Sequence, residues 1–350
     1  MKSLINAKAL IAGLMVITCF YACKKDLISG KFDVNQVNLV ADTAGYGASR
    51  IDTNLVNAWG IAISPGGGIW ISSNHKGRST IYDKTGHTLR PPVTIPSLGP
   101  GQIGAPTGVV FNNTTDFGGS KFIFASEDGI ILAWSSGNSA VKVADRSSFN
   151  AVYKGIAMAK DGSCNFLYLT NFKEGKIDVF DKNFNFVTTK PFLDPGIPAD
   201  FAPFNIQNIE GKLYVTYAKH KAPDNRDDQK GPGNGYIDIY NPNGTLIKRF
   251  ASQGALNSPW GMAVAPEGLA DDKEVILIGN FGDGRINIFN RQGHFIGPLQ
   301  DHGKAITIDG LWAIDFLKGT EEMKDRNDQL FFTAGPAEEA HGLFGYLQKE

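Results

Sequence analysis

The stretch Asn257-Ser258-Pro259-Trp260-Gly261-Met262-Ala263-Val264 repeats, with small changes, Asn57-Ala58-Trp59-Gly60-Ile61-Ala62-Ile63. A chain that reuses one short apolar strand with a small residue at its head, at a spacing of about 50 residues, is built from stacked copies of one supersecondary unit. Taking Gly60 as the marker, the equivalent positions are Gly108, Gly155, Asn205, Gly261 and Ala313, so six copies fit the chain. Each marker strand is followed by a second apolar run, as in Phe122 to Ala125, Leu167 to Thr170 and Leu213 to Tyr217. Their length and their β-branched and aromatic content read as strands.

A third run keeps alternation after a glycine turn: Gly175-Lys176-Ile177-Asp178-Val179-Phe180 parallels Gly284-Arg285-Ile286-Asn287-Ile288-Phe289. A tight turn and a more polar fourth strand, such as Thr245 to Phe250, complete the unit. Four antiparallel strands per unit, apolar inside and mixed outside, is the composition of a propeller blade. The expected fold is therefore all-β, a six-bladed β-propeller over residues 35–350. The sixth copy lacks a fourth strand, and Gln36 to Val40 is a spare one at the other end. Pairing the two would close the ring and remove two sheet edges.

The chain carries 34 Lys and Arg against 35 Asp and Glu, a formal net charge of -1, with the basic residues dispersed. The basic stripe of a nucleic-acid binder is absent. Residues 1–22 place Lys2 and Lys8 before the apolar run Ala9 to Phe20, the pattern of a secretory signal. Phe20-Tyr21-Ala22-Cys23 resembles the lipobox of bacterial lipoproteins, in which the cysteine becomes the lipidated N-terminus. Cys23 is thus the expected lipidation site and 23–34 a short tether, which places the protein in the cell envelope, periplasmic or surface-exposed, with no membrane contact beyond the lipid. Acyl chains hold such an anchor by burial in the bilayer. Within the expected propeller Cys164 stands alone, so no disulfide framework stabilises it.

Several phrases in the repeats, among them Asn54-Leu55-Val56-Asn57-Ala58-Trp59-Gly60, Ala202-Pro203-Phe204-Asn205-Ile206-Gln207-Asn208-Ile209, Gly279-Asn280-Phe281-Gly282-Asp283-Gly284 and Phe332-Thr333-Ala334-Gly335-Pro336, resemble an uncharacterised family of secreted bacterial proteins with an NHL-like propeller. That resemblance implies the fold and secretion and carries over no activity. The blade pattern is more loosely similar to the calcium-dependent lactonase and paraoxonase propellers, which hold a metal at the channel mouth with Asn, Asp and Glu side chains. No local motif of theirs is matched here, and the link is one of fold.

Loops that precede the first strand of each blade and loops that join its second and third strands meet on one face, the default site of such a fold. Candidates of the first set are Asn57, Lys154, Asn205 and Asp309. Those of the second are Ser73, Glu127, Asp128, Asn171, Asn280, Asp283 and the run Glu338-Glu339-Ala340-His341. Oxygen donors converging from separate blades suit calcium or magnesium, and Asn57, Glu127, Asn205, Asn280 and Asp309 form the candidate metal set. Asn205 stands where four other blades have glycine. It is either a ligand near the axis or an amide that ties a crowded turn. Asn171 and Asn280 occupy one repeated position, which suits a structural hydrogen bond. Trp59, Trp260 and Trp312 open inner strands of neighbouring blades and form either an aromatic shelf for a sugar or filling between blades. The insertion Lys219 to Asn234 lengthens the fourth blade's loop over the same face, with Asp224, Asp227 and Asp228 as cation candidates or as a solvated lid. The histidines lack metal-ligand spacing, and no nucleophile elbow or phosphate loop is present. Two functions remain: a monomeric binding or scaffold module that presents its loop face to an envelope protein or glycan, and a divalent-metal-dependent hydrolase or lactonase.

Overall fold

The computed structural model describes residues 33–266, 274–317 and 329–349; the expected signal sequence and Cys23 lie outside them. Six blade sheets, antiparallel except for the short parallel pairing of Val40–Ala41 with Arg50–Ile51 in the sixth, surround one axis. The inner strands, blade by blade, are Ala58–Ile63, Pro106–Phe111, Tyr153–Asp161, Phe201–Ile209, Pro259–Val264 and Leu311–Phe316. Each packs against the next, and the sixth returns to the first. In the sixth sheet Val34–Ala41 pairs antiparallel with Leu343–Lys349, so residues from both ends of the described chain share one blade.

The apolar runs are continuous because each blade is covered on both faces. In blade 2, Phe122 and Phe124 turn toward blade 1, where they meet Trp70 and Ile81. Ile123 and Ala125, their neighbours in sequence, turn toward blade 3 and meet Tyr153 and Leu167. The same division recurs around the ring. Six apolar clusters fill the six gaps between blades, and a seventh, containing Trp59, Trp260 and Trp312, lies at the axis.

Convergence on the axis sets the chemistry of the marker positions. A Cβ added at Gly60 would stand 2.6 Å from Thr107 O, and one at Gly108 would stand 2.8 Å from Ile156 N. No backbone can yield by that much without shifting a strand. In all six blades the pairing of the first two strands also slips a residue at this point, for example between Tyr153 and Gly155 and between Pro203 and Asn205. Such a bulge removes ladder partners from backbone groups in a dry place.

Side chains supply the missing partners. Thr170 Oγ1 accepts from Gly155 N at 2.7 Å and donates to Phe204 O of the next blade at 3.1 Å. Thr333 Oγ1 likewise accepts from Ala313 N at 3.1 Å and donates to Trp59 O of blade 1. Thr107 Oγ1 donates to Tyr153 O at 2.9 Å, and Asn205 Nδ2 to Trp260 O at 2.7 Å. Four of the six blade junctions are thus bridged at the axis by one side chain reaching a neighbour's carbonyl.

Two substitutions test this arrangement. Thr170→Val keeps the shape but strands a buried N–H and a buried carbonyl, and is expected to cost about 1–3 kcal/mol in denaturant unfolding. Gly60→Ala is expected to cost about 1–3 kcal/mol through overpacking. Gly66→Ala has nothing within 4 Å of the added carbon and should stay within about 0.5 kcal/mol of the unsubstituted protein.

Candidate functional site

The loop face holds one convergent polar cluster, and its centre is an ammonium. Lys154, at the head of blade 3's inner strand, is 2 % exposed and lies 2.5 Å from Glu127 Oε1 of blade 2 and 3.1 Å from Asp227 Oδ1 of blade 4. Its Nζ also sits 5.1 Å from the centre of the Trp59 ring. Glu127 Oε2 accepts from Asn74 Nδ2 at 3.0 Å. On the blade 1 and blade 6 side, Asn57 Nδ2 donates to Glu339 Oε2 at 2.6 Å and lies 3.3 Å from His75 Nε2. Asn57 Oδ1 accepts from the Trp312 indole N–H at 3.0 Å. Asn57 has a left-handed backbone, φ 50°, which asparagine tolerates better than most residues.

Burial alone would push Lys154 toward its neutral form, but the charges of Glu127 and Asp227 and their hydrogen bonds outweigh it and hold its pKa above the ordinary lysine value. Glu339 moves the other way. Burial raises its carboxyl first, and Glu127 and Asp227 add to that, against opposing contributions from Lys154 and the Asn57 amide.

Beneath this cluster the channel is shut. Trp59 and Trp312 stack with ring centres 3.5 Å apart, Phe281 stacks on Trp312 at 3.9 Å, and Trp260 meets both tryptophans edge-on. Phe204 and Phe172 extend the plug. Trp59, Trp260 and Trp312 are 1 %, 4 % and 1 % exposed. These three residues do come together, as their placement on neighbouring blades suggests, but inside and covering one another. Of the two readings of these tryptophans, shelf or filling, their burial supports filling, because rings that close a narrowing channel cover one another.

The candidate metal set divides in the same way. Asn57 and Glu127 join the cluster around Lys154. Asn205 lies lower, its amide spent on Trp260 O and its Oδ1 pressed against Gly155, where an added Cβ would come within 2.3 Å. Asn280 donates to Ala255 O and to Asp283 Oδ1. Asp309 Oδ2 accepts from Ala337 N at 2.8 Å. The five do not converge, and among the described residues no three His, Cys, Asp or Glu side chains are grouped as a metal requires.

Other candidates serve their own loops. Ser73 Oγ meets Thr80, Asp128 accepts from Ser126 Oγ, and Asp283 accepts from Arg285 N. Asn171 accepts from Val152 N and donates to Asp178, so it and Asn280 both tie their blade to the preceding loop. Glu338 is exposed, and His341 Nδ1 lies 3.0 Å from Asp42 Oδ2. In the insertion Asp227 reaches Lys154, Asp228 is buried with its carboxyl raised by that burial, and Asp224 accepts weakly from Arg226 N. Asn74 and His75 have no distinguishing mark in the sequence. Their role follows from a short 3-10 turn, Asn74–Lys76, that turns them toward Asn57.

No family model matches the chain. "Uncharacterized protein R648" of Acanthamoeba polyphaga mimivirus is 32 % identical over 338 residues, covering 90 % of this chain and 80 % of that protein. "Uncharacterized protein L690" of the same virus is 32 % identical over 333 residues, covering 90 % and 86 %. The chain belongs to their family. These relatives are viral, so they do not support a secreted bacterial family, and their names state no activity. Among solved structures, virginiamycin B lyase from Staphylococcus aureus matches with a TM-score of 0.54 at 12 % identity over 90 % of this chain and 99 % of that one. The soluble aldose sugar dehydrogenase of Escherichia coli matches at 0.56 and 15 % over 91 % and 100 %. A protein of unknown function from Bacteroides thetaiotaomicron matches at 0.56 and 12 % over 90 % and 76 %. At such identities the likeness is one of fold.

Lys154→Met removes the buried ammonium and leaves Glu127 and the exposed Asp227 without their counter-charge, and is expected to destabilise the protein by about 1–3 kcal/mol. Glu339 gives a pH signature. Its raised folded pKa means that the native state keeps a proton the unfolded chain has released, so its contribution is full at low pH and is lost as pH rises through the folded value. Glu339→Gln mimics the protonated form. Its stability relative to the unsubstituted protein is expected to rise from about pH 4 to about pH 8 in parallel thermal melts; a difference independent of pH would refute the assignment.

Proposed function

We propose that the protein is a binding module whose recognition surface is the loop face around the plugged mouth, held at the cell envelope by a lipid on Cys23. The observation that carries this reading is Lys154. The two carboxylates at the mouth, Glu127 and Asp227, already pair with an ammonium supplied by the chain itself. The site is therefore a finished polar platform over a rigid aromatic floor, with Asp227 exposed at its rim. Interior tryptophans deny a sugar ring its stacking partner, which favours a protein over a glycan. Carboxylates at the rim favour a partner surface bearing Lys or Arg.

Immobilised full-length protein, unsubstituted and Asp227→Arg, presented with solubilised envelope proteins and with a glycan array, tests the reading. Capture of a protein partner that persists in chelator and is lost from Asp227→Arg is expected. Turnover of a lactone or phosphoester that chelator abolishes would instead establish the metal-dependent hydrolase.

A further inference from the structure

Among the described residues the channel is closed at the loop face and open at the other. Below the ring of marker residues the six inner strands diverge around a cavity of about 610 Å³, which runs from Gly60, Gly108, Asn205 and Gly261 to the opposite surface. Pockets that bury small molecules span about 300–1,000 Å³. The walls mix apolar side chains with polar groups: Ile63, Val110, Phe111 and Met158 are only partly buried in a strand layer otherwise packed on both sides, whereas Ile206 and Ile314 are buried in the gaps between blades.

The few polar side chains sit toward the open end, and several are already used. Ser64 Oγ accepts from Gly68 N, Asn208 Oδ1 from Gly211 N, and Asp315 Oδ1 from Phe316 N. No Lys, Arg or His is among the described lining residues, so an anionic ligand would lose its hydration without a counter-charge. A second cavity of about 380 Å³ shares Gln207, Asn208, Asp315 and Phe316 with the first and extends it outward between blades.

We infer that the central cavity is a binding site for a neutral small molecule with both apolar and polar surface, entering from the face opposite the loop cluster and stopping against Asn205 and Trp260. Burial of apolar surface against Val110, Phe111 and Met158 contributes to binding, and Gln207 at the open end receives whatever polar group the molecule carries. The site is independent of the recognition surface proposed above, from which the plug separates it.

Titration of the full-length protein with the neutral fluorophore N-phenyl-1-naphthylamine tests this. Saturable one-to-one enhancement is expected. Val110→Trp, which fills the cavity, should raise Kd by about tenfold or more, and Met158→Gln should weaken binding in the same direction. Asp224→Asn, on the other face, should leave Kd unchanged. Melting curves of the variants establish that each is folded, and the two cavity variants act by different means, so failure of one to fold leaves the other to decide. No saturable signal in the unsubstituted protein would mean the cavity holds water only. A signal that neither cavity variant changes would place the fluorophore elsewhere. Either result overturns the inference.

Discussion

Six strand heads must meet at one axis, and everything else in the structure accommodates that crowding. Their approach is closer than side chains allow, so four of the six marker positions are glycine, and each first strand slips its register there. The slip deprives buried backbone groups of partners, and a group left so would cost more than an ordinary hydrogen bond returns. Thr107, Thr170, Asn205 and Thr333 restore the partners, and by reaching the next blade's carbonyl they also join neighbouring sheets. Hydrophobic packing between blades is non-directional; these bonds fix how the blades are aligned.

With the alignment fixed, the two ends of the channel differ. On the loop side the heads carry large rings, and Trp59, Trp260 and Trp312 close the narrowing space over one another. A lysine then rises through this layer at Lys154. Burying an ammonium is costly unless it is paired and hydrogen-bonded, and Glu127 and Asp227 arrive from the blades on either side to pair it. On the other side, among the described residues, the strand ends carry Ile63, Val110, Met158 and Gln207 around the central cavity. The described molecule is thus charged and shut at one end and hollow at the other.

Much of this is legible in the chain. Register between repeated phrases identifies the blades, and continuous apolar runs such as Phe122 to Ala125 betray strands covered on both faces. The loop face and its members Asn57, Lys154, Glu127 and Asp227 follow from the same register. What repeat spacing does not encode is which way a side chain turns at the axis. Asn205 occupies a marker position, yet its amide lies along the strand heads and bonds Trp260 O, because the gap beside Gly155 receives it. The three tryptophans sit as neighbours in the ring, and only the width of the channel decides that they stack inward. Asn74 and His75 stand in a turn whose equivalents in blades 3 and 5 carry Phe172 and Phe281 instead, so the repeat places the turn without marking them as polar members of the mouth.

Calorimetric titration of calcium into the full-length protein and into Lys154→Met addresses the central claim, that a lysine of the chain occupies the cation position at the mouth. The account predicts no saturable binding at the mouth of the unsubstituted protein. It predicts weak, salt-sensitive binding in Lys154→Met, where Glu127 and Asp227 are left with no counter-charge. Stoichiometric calcium binding to the unsubstituted protein that Glu127→Gln abolishes would contradict it.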